Sequence, residues 1–307
     1  PENLRGITLS KKKKIAVAVT VILVIAAAAA AYLLYSGGFF DKPVAETEPT
    51  SAAAPDETTT VPAVYQEYYN RNQDFVGWIK IEGTDIDYPV VQADDNEYYL
   101  NHNFDRERES RGTIFMDYLS DPNLGYMNTV IHGHNWLDDT VFSELPQYSD
   151  IEYYREHPII EYNTRTEIHK WKIFAVFITT ASADEDNGYV FNYVYPDMGG
   201  LNYDGYMAEV NKRTLYYTDV DVNANDKILT LSTCTREVDT RSYRADCRIV
   251  ILARMVRDGE SETVNTAAAY ENPNPKYPQI WYDLKGRENP YKNEEFWYPY
   301  ETMNESQ

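Results

Sequence analysis

The sequence predicts a mainly β fold, a barrel or a sandwich, set behind a single membrane-spanning helix. Three observations predict it. Short apolar stretches bounded by turn residues recur between positions 76 and 256. Within that stretch only 203–217 carries a convincing helical period. Residues 15–35 form an uncharged apolar run, close to the ~20 residues that cross a bilayer as a helix. A chain of 307 residues that is 43% hydrophobic is enough for one well-packed core plus appendages.

Taken in chain order, residues 1–14 are a basic N-terminus, with Lys11, Lys12, Lys13 and Lys14 directly before the apolar run. The first charges after the run are Asp41 and Lys42. This asymmetry places the N-terminus inside the cell and everything after the helix outside it. Residues 1–40 carry a net charge of +4, which leaves −25 on the remainder of a chain whose total is −21. So acidic an exterior domain argues against nucleic acid as a partner. Residues 36–63 are rich in Pro, Ala, Glu and Thr and read as a solvated stalk.

The working domain is expected over 64–257. Aromatic residues at helical spacing from Tyr65 to Phe75 predict a short helix packed on the domain. Strands follow at 76–81 and 86–91, joined by a turn at Glu82, Gly83 and Thr84, then at 112–116, 128–132, 168–178, 227–233 and 248–256. The helix over 203–217 has Asp204 near its start and Thr218 and Asp219 after its end. Residues 258–307 are a tail in which five prolines alternate with Tyr270, Tyr277, Trp281, Tyr282, Tyr291 and Trp297. Packing on the domain and solvated disorder are both open for it.

Chemistry points to Cys234. Residues 226–234 read as a strand that delivers a thiol at its end, where a rigid scaffold presents reactive groups. The strand over 128–132 runs into His132-Gly133-His134-Asn135 and can bring an imidazole beside that thiol. Such a partner takes the thiol proton and later protonates a leaving amine. Downstream, Cys247 and Arg248 begin a strand in which neighbours point to opposite faces. If Arg248 faces the thiol, Cys247 faces away, and the guanidinium can hold a substrate carbonyl or an oxyanion. A Cys234–Cys247 disulfide is the competing reading in an exported domain, although a domain of this size does not need stapling.

The triplet of His, Cys and Arg resembles that of the sortases, transpeptidases of Gram-positive bacteria marked by Thr-Leu-x-Thr-Cys and a following strand that bears an Arg. Here those residues are 230–234 and Arg248. The resemblance covers most of 65–257 and looks nearest to class B, through 74–79, 87–92, 99–102, 112–117 and 212–216. It implies a closed β-barrel of about eight strands, and His134, Cys234 and Arg248 as the catalytic residues. Substrate would be bound by Asn96 and Leu100 on one wall, by Ser232 beside the nucleophile, and by Tyr189 with Val190. It further implies cleavage of an Asn-Pro-x-Thr-like sorting signal on surface proteins and transfer to a peptidoglycan amine or a pilin lysine, without cofactor or metal. Two departures stand out: His132 lies where class B members commonly carry Tyr, and the loop from Cys234 to Arg248 is long. Arg241 and Arg244 therefore compete with Arg248.

Two other classes of function are expected to leave different traces. An extracytoplasmic metallohydrolase would use His132 and His134, which share a strand face, as ligands. A non-catalytic, membrane-tethered binding module would make Cys234 incidental and use the aromatic tail as its surface.

Overall fold

The computed structural model describes residues 62–138, 140–195 and 203–299. The basic N-terminus, the apolar run at 15–35 and nearly all of the stalk lie outside the described residues. No helix among the described residues is long and apolar enough to cross a membrane.

The strands are β1 (Phe75–Lys80), β2 (Asp87–Val91), β3 (Phe115–Met116), β4 (Asn128–His132), β5 (Ile159–Thr164), β6 (Lys170–Thr180), β7 (Tyr216–Tyr217), β8 (Ile228–Cys234), β9 (Cys247–Met255) and β10 (Tyr270–Glu271). Eight of them close a barrel in the order β1-β2-β3-β4-β8-β9-β6-β5, and β7 with β10 forms a separate two-stranded sheet. Of the two expected architectures, the barrel is the one formed. The helices are α1 (Val64–Arg71), α2 (Ile151–Glu156), α3 (Tyr203–Arg213) and α4 (Gln279–Lys285).

Strand periodicity decides which side chains fill the barrel. On β8 and β9 the odd positions Leu229, Leu231, Ile249, Ile251 and Ala253 join the large central core. The even positions Ile228, Val250 and Leu252 face outward, where Tyr206 and Val210 of α3 and Phe174 and Phe177 of β6 cover them. Both faces are dry, which is why these strands read as continuous apolar runs rather than alternating ones.

Several boundaries differ from expectation for physical reasons. The helix expected to Phe75 ends at Arg71, and Phe75 opens β1 opposite Val91. The helix expected to 217 ends at Arg213, where Thr214 turns its hydroxyl to the carbonyl of Tyr216 and the chain becomes β7. Strand β5, which pairs with both β1 and β6 and so closes the barrel, is not among the expected strands. It escapes pattern reading because it buries the polar Asn163 and Thr164. Asn163 recovers its hydrogen bonds from the amide of His169 and the hydroxyl of Tyr65.

The described part of the tail packs on the domain at three places. Residue Asn272 bonds the carbonyls of Thr214 and Leu215 beside the β7–β10 pair. Helix α4 buries Trp281 and Tyr282 against Ile178, Val238 and Cys247, and Trp281 stacks on Tyr277 with ring centres 4.0 Å apart. Further along, Trp297 lies over Phe191 and Tyr206. Removal of a buried indole costs about 3–5 kcal/mol. Trp281→Ala should therefore lower the unfolding free energy measured by denaturant titration by an amount of that order, whereas a loss near zero would make the tail an accessory.

Candidate active site

Three neighbouring strands end together at one rim of the barrel. Parallel β4 and β8 align His132 with Ser232, and antiparallel β8 and β9 align Cys234 with Arg248. Directly paired residues share a sheet face, so His132, Ser232, Cys234 and Arg248 all lie on the outward face. Beyond His132 the register continues: the amide of Gly133 donates to the carbonyl of Ser232 at 3.3 Å, and the side-chain amide of Asn135 donates to the carbonyl of Cys234 at 2.9 Å. The Thr233 hydroxyl donates to the carbonyl of Gly133 at 2.7 Å. These bonds fasten His134 alongside the end of β8. Gly133 is needed for the close approach, because a Cβ there would stand 2.7 Å from the ring of Phe142.

The imidazole of His134 is oriented by its surroundings. Its Nε2 lies 2.8 Å from the carbonyl oxygen of Leu100, which can only accept, so Nε2 carries the proton and the neutral ring keeps its lone pair on Nδ1. Trp136 meets the ring edge-on at 5.6 Å between centres. Cys234 is half-buried and Cys247 is fully buried, and both are free thiols. The disulfide reading is thereby corrected: the two cysteines sit on adjacent strands, but one faces the rim and the other packs under α4. Burial first, and then the Glu185 carboxylate, pushes the Cys247 thiol up to about 12. That group stays protonated at neutral pH.

Arg248 is largely covered, with its side chain 24% exposed and Nη1 2.6 Å from Oδ1 of Asp246. Burial alone would lower its pKa, but the negative potential of Cys234, Asp246 and Tyr193 outweighs burial and raises it. The guanidinium therefore shares its field with the thiol. Arg244 extends into solvent with its side chain 77% exposed and pairs with Asp239 at 2.9 Å. Arg241 is exposed on the same loop.

The expected substrate wall divides into two groups. Leu100 and Val190 are each 38% exposed, and Leu100 also supplies the carbonyl that holds His134. Asn96 braces a turn, donating to Asp117 at 2.8 Å and accepting from the amide of Tyr118 at 3.0 Å. Ser232 and Tyr189 are instead only 2% and 3% exposed. The Ser232 hydroxyl shares a 2.8 Å bond with Tyr193, and the Tyr189 hydroxyl donates to the carbonyl of Trp297 while its ring stacks on Phe296. Their side chains pack against Tyr193 and the tail rather than line an open surface.

Residues that sequence reasoning missed surround the site. Asp117, 2% exposed, lies 3.0 Å from Nε2 of His132. Burial would raise its pKa, but hydrogen bonds from His132 and the amide of Leu119 hold it below the ordinary carboxylate value. Tyr193 seats Ser232, and Asn135 ties the strand ends. Of these, only Asn135 had a local signal, its position directly after the Gly-His step. For the metal-site reading, Nε2 of His132 bonds Asp117 and Nε2 of His134 bonds the carbonyl of Leu100. Among the described residues, no group of three or more His, Cys, Asp or Glu is arranged to hold a metal ion.

Comparison with known proteins places the chain among relatives of one family. A family model described as Sortase domain matches residues 79–256. Sortase B of Listeria monocytogenes serovar 1/2a is 36% identical over 173 residues, which span 56% of this chain and 68% of that relative. Among solved structures, the Staphylococcus aureus sortase B–substrate complex superposes with a TM-score of 0.56 at 31% identity, covering 64% of this chain and 87% of the other. A sortase B complexed with a glycine tripeptide superposes at 0.55 and 32% identity, covering 63% and 85%.

Proposed function

The chain belongs to the sortase family, class B, and from that premise we propose that Cys234, His134 and Arg248 carry out its transpeptidation. The observation that carries this reading is the direct pairing of Cys234 with Arg248 on β8 and β9, with His134 just past the end of adjacent β4 in a loop that Asn135 bonds to the carbonyl of Cys234.

In the proposed cycle His134 takes the Cys234 thiol proton on Nδ1, and the thiolate so formed attacks the carbonyl carbon of Thr in an Asn-Pro-x-Thr-like signal. The peptide C–N bond then breaks to leave a thioester, and His134 gives its proton to the departing amine. A second amine attacks the thioester, loses a proton to His134 and expels the Cys234 thiolate. Arg248 donates hydrogen bonds to the carbonyl oxygen as negative charge develops there. The pairing of Arg244 with Asp239 out in solvent supports Arg248 over its rival. The exposed flanks of Leu100 and Val190, together with Asn96, are the proposed signal contacts.

We place the domain outside the membrane, facing the cell wall, tethered by a helix over 15–35 with its N-terminus inside, on the strength of the lysines before that run. The donors would be surface proteins that bear the signal, and the acceptor a peptidoglycan amine, with a pilin lysine as the alternative. The substrate complex and the glycine-tripeptide complex of the relatives support a sorting-signal substrate and an amine as the two partners.

Intact mass spectrometry of the domain incubated with a panel of sorting peptides tests the scheme. A thioester-sized adduct that maps to Cys234 with an Asn-Pro-x-Thr peptide is expected, and glycine peptides should discharge it. Labelling at Cys247, or none with any peptide, would refute it.

A further inference from the structure

A carboxylate removed from water must recover its hydrogen bonds or lose its charge. Glu185, in the turn that follows β6, is 5% exposed and recovers them from four donors. These are the hydroxyl of Thr180 at the end of β6, the hydroxyl of Tyr243 at 2.6 Å, the amide of Asp246 at 2.9 Å and the thiol of Cys247 at 3.9 Å. Burial acts to raise its pKa, yet these bonds prevail and hold it below the ordinary carboxylate value. The anion thus ties together the end of one strand, the loop that follows Cys234 and the first residue of β9. The next residue along is Arg248, whose guanidinium is held by the side chain of Asp246. A backbone bond from Ala181 to the carbonyl of Asp246 at 2.9 Å runs beside this knot.

We infer that Glu185 is a positioning residue for the reaction: by fixing Asp246 and the entry to β9, it aims Arg248 at the carbonyl that Cys234 attacks. The inference rests on the reading of Arg248 as the oxyanion-side group. Neither Glu185 nor its donors belong to the triad, and their effect is felt through geometry. In a site where an ångström decides alignment, a loosened support costs up to about 10²-fold in rate.

The test is a double-mutant cycle of Glu185→Gln with Arg248→Lys, read as kcat and KM for peptide transpeptidation. The Asp246 amide bonds both carboxylate oxygens, at 2.9 and 3.1 Å, and cannot reverse its role. A glutamine NH2 in either orientation therefore opposes a donor. In the parent background, E185Q should lower kcat by roughly 10- to 100-fold, with KM changed by less than about threefold. Alkylation of Cys234 by iodoacetamide should keep its parent rate. In the R248K background the same substitution should cost less than about twofold, since the group it aims is already compromised. An equal loss in both backgrounds, or no loss in the parent, overturns the inference. If R248K alone keeps parent activity, the reading of Arg248 itself fails and the inference falls with it. Should E185Q not fold, Tyr243→Phe carries the same cycle. Its ring is 43% exposed, and the loss of that one bond should give a smaller kcat loss that again vanishes with R248K.

Discussion

Cys234→Ala is expected to abolish both transfer and hydrolysis of sorting peptides, a loss on the order of 10⁶-fold if the thiol is the nucleophile, while Cys247→Ala, which removes only the longest of the four bonds to Glu185, lowers turnover less than about tenfold. The contrast follows from strand parity. Cys234 ends β8 on the outward face opposite Arg248, half-buried at the rim, and Cys247 begins β9 one residue earlier, with no exposed surface and Ile178, Val238 and Trp281 around it. A thiol raised to about 12 by its apolar surroundings has almost no thiolate at neutral pH. Cys247 acts as a small core side chain, so its truncation shows more in thermal unfolding than in rate. Chromatographic product assays on the two variants decide the matter. Substantial turnover by C234A would end the nucleophile assignment, and an inactive but folded C247A would transfer it.

The parity argument was available from residue order alone, because alternation along a strand is local and 247 and 248 are neighbours. The same holds for β8 and β9, whose apolar runs mark them as strands covered on both sides. What local pattern could not supply is anything that depends on which distant segment arrives. The carbonyl that orients His134 belongs to Leu100, 34 residues away, and the hydroxyl that buries Ser232 comes from Tyr193, 39 residues away. A backbone carbonyl has no signature in a sequence, since every residue carries one. Ser232 and Tyr189 matched a substrate-contact pattern by position, but their exposure is set by Tyr193 and by the tail. Strand β5 was hidden for a related reason. Its polar residues look like those of a surface loop until Tyr65 and His169 satisfy Asn163. The tail was legible as aromatic, and its order followed only once Ile178, Val238 and Cys247 were seen to need a cover.

His134→Ala is the second large effect, an expected fall of roughly 10²- to 10⁴-fold in kcat/KM, and it discriminates between the two histidines that frame Gly133. His132 lies against the buried carboxylate of Asp117 at 3.0 Å, and its ring packs on Phe115 at 5.3 Å. A histidine so enclosed contributes through structure, so His132→Ala should lower stability and reduce rate only modestly. His134 has one nitrogen anchored by a carbonyl and the other carrying the lone pair in the neutral ring, at the end of the strand beside the thiol. That arrangement suits a group that must accept a proton from an amine nucleophile and return one to a leaving amine, and a fixed tautomer saves the cost of orienting the ring at each turnover. Two measurements separate this role from mere packing. Added imidazole should restore part of the activity of H134A, because the deleted ring leaves a site of its own shape, and it should do nothing for H132A. Discharge of the Cys234 thioester by a glycine peptide should slow in H134A together with its formation, since one imidazole is proposed to serve both half-reactions. If H134A forms the thioester at the parent rate and is impaired only in stability, the proton carrier lies elsewhere, and His132 with its Asp117 partner is the pair to examine.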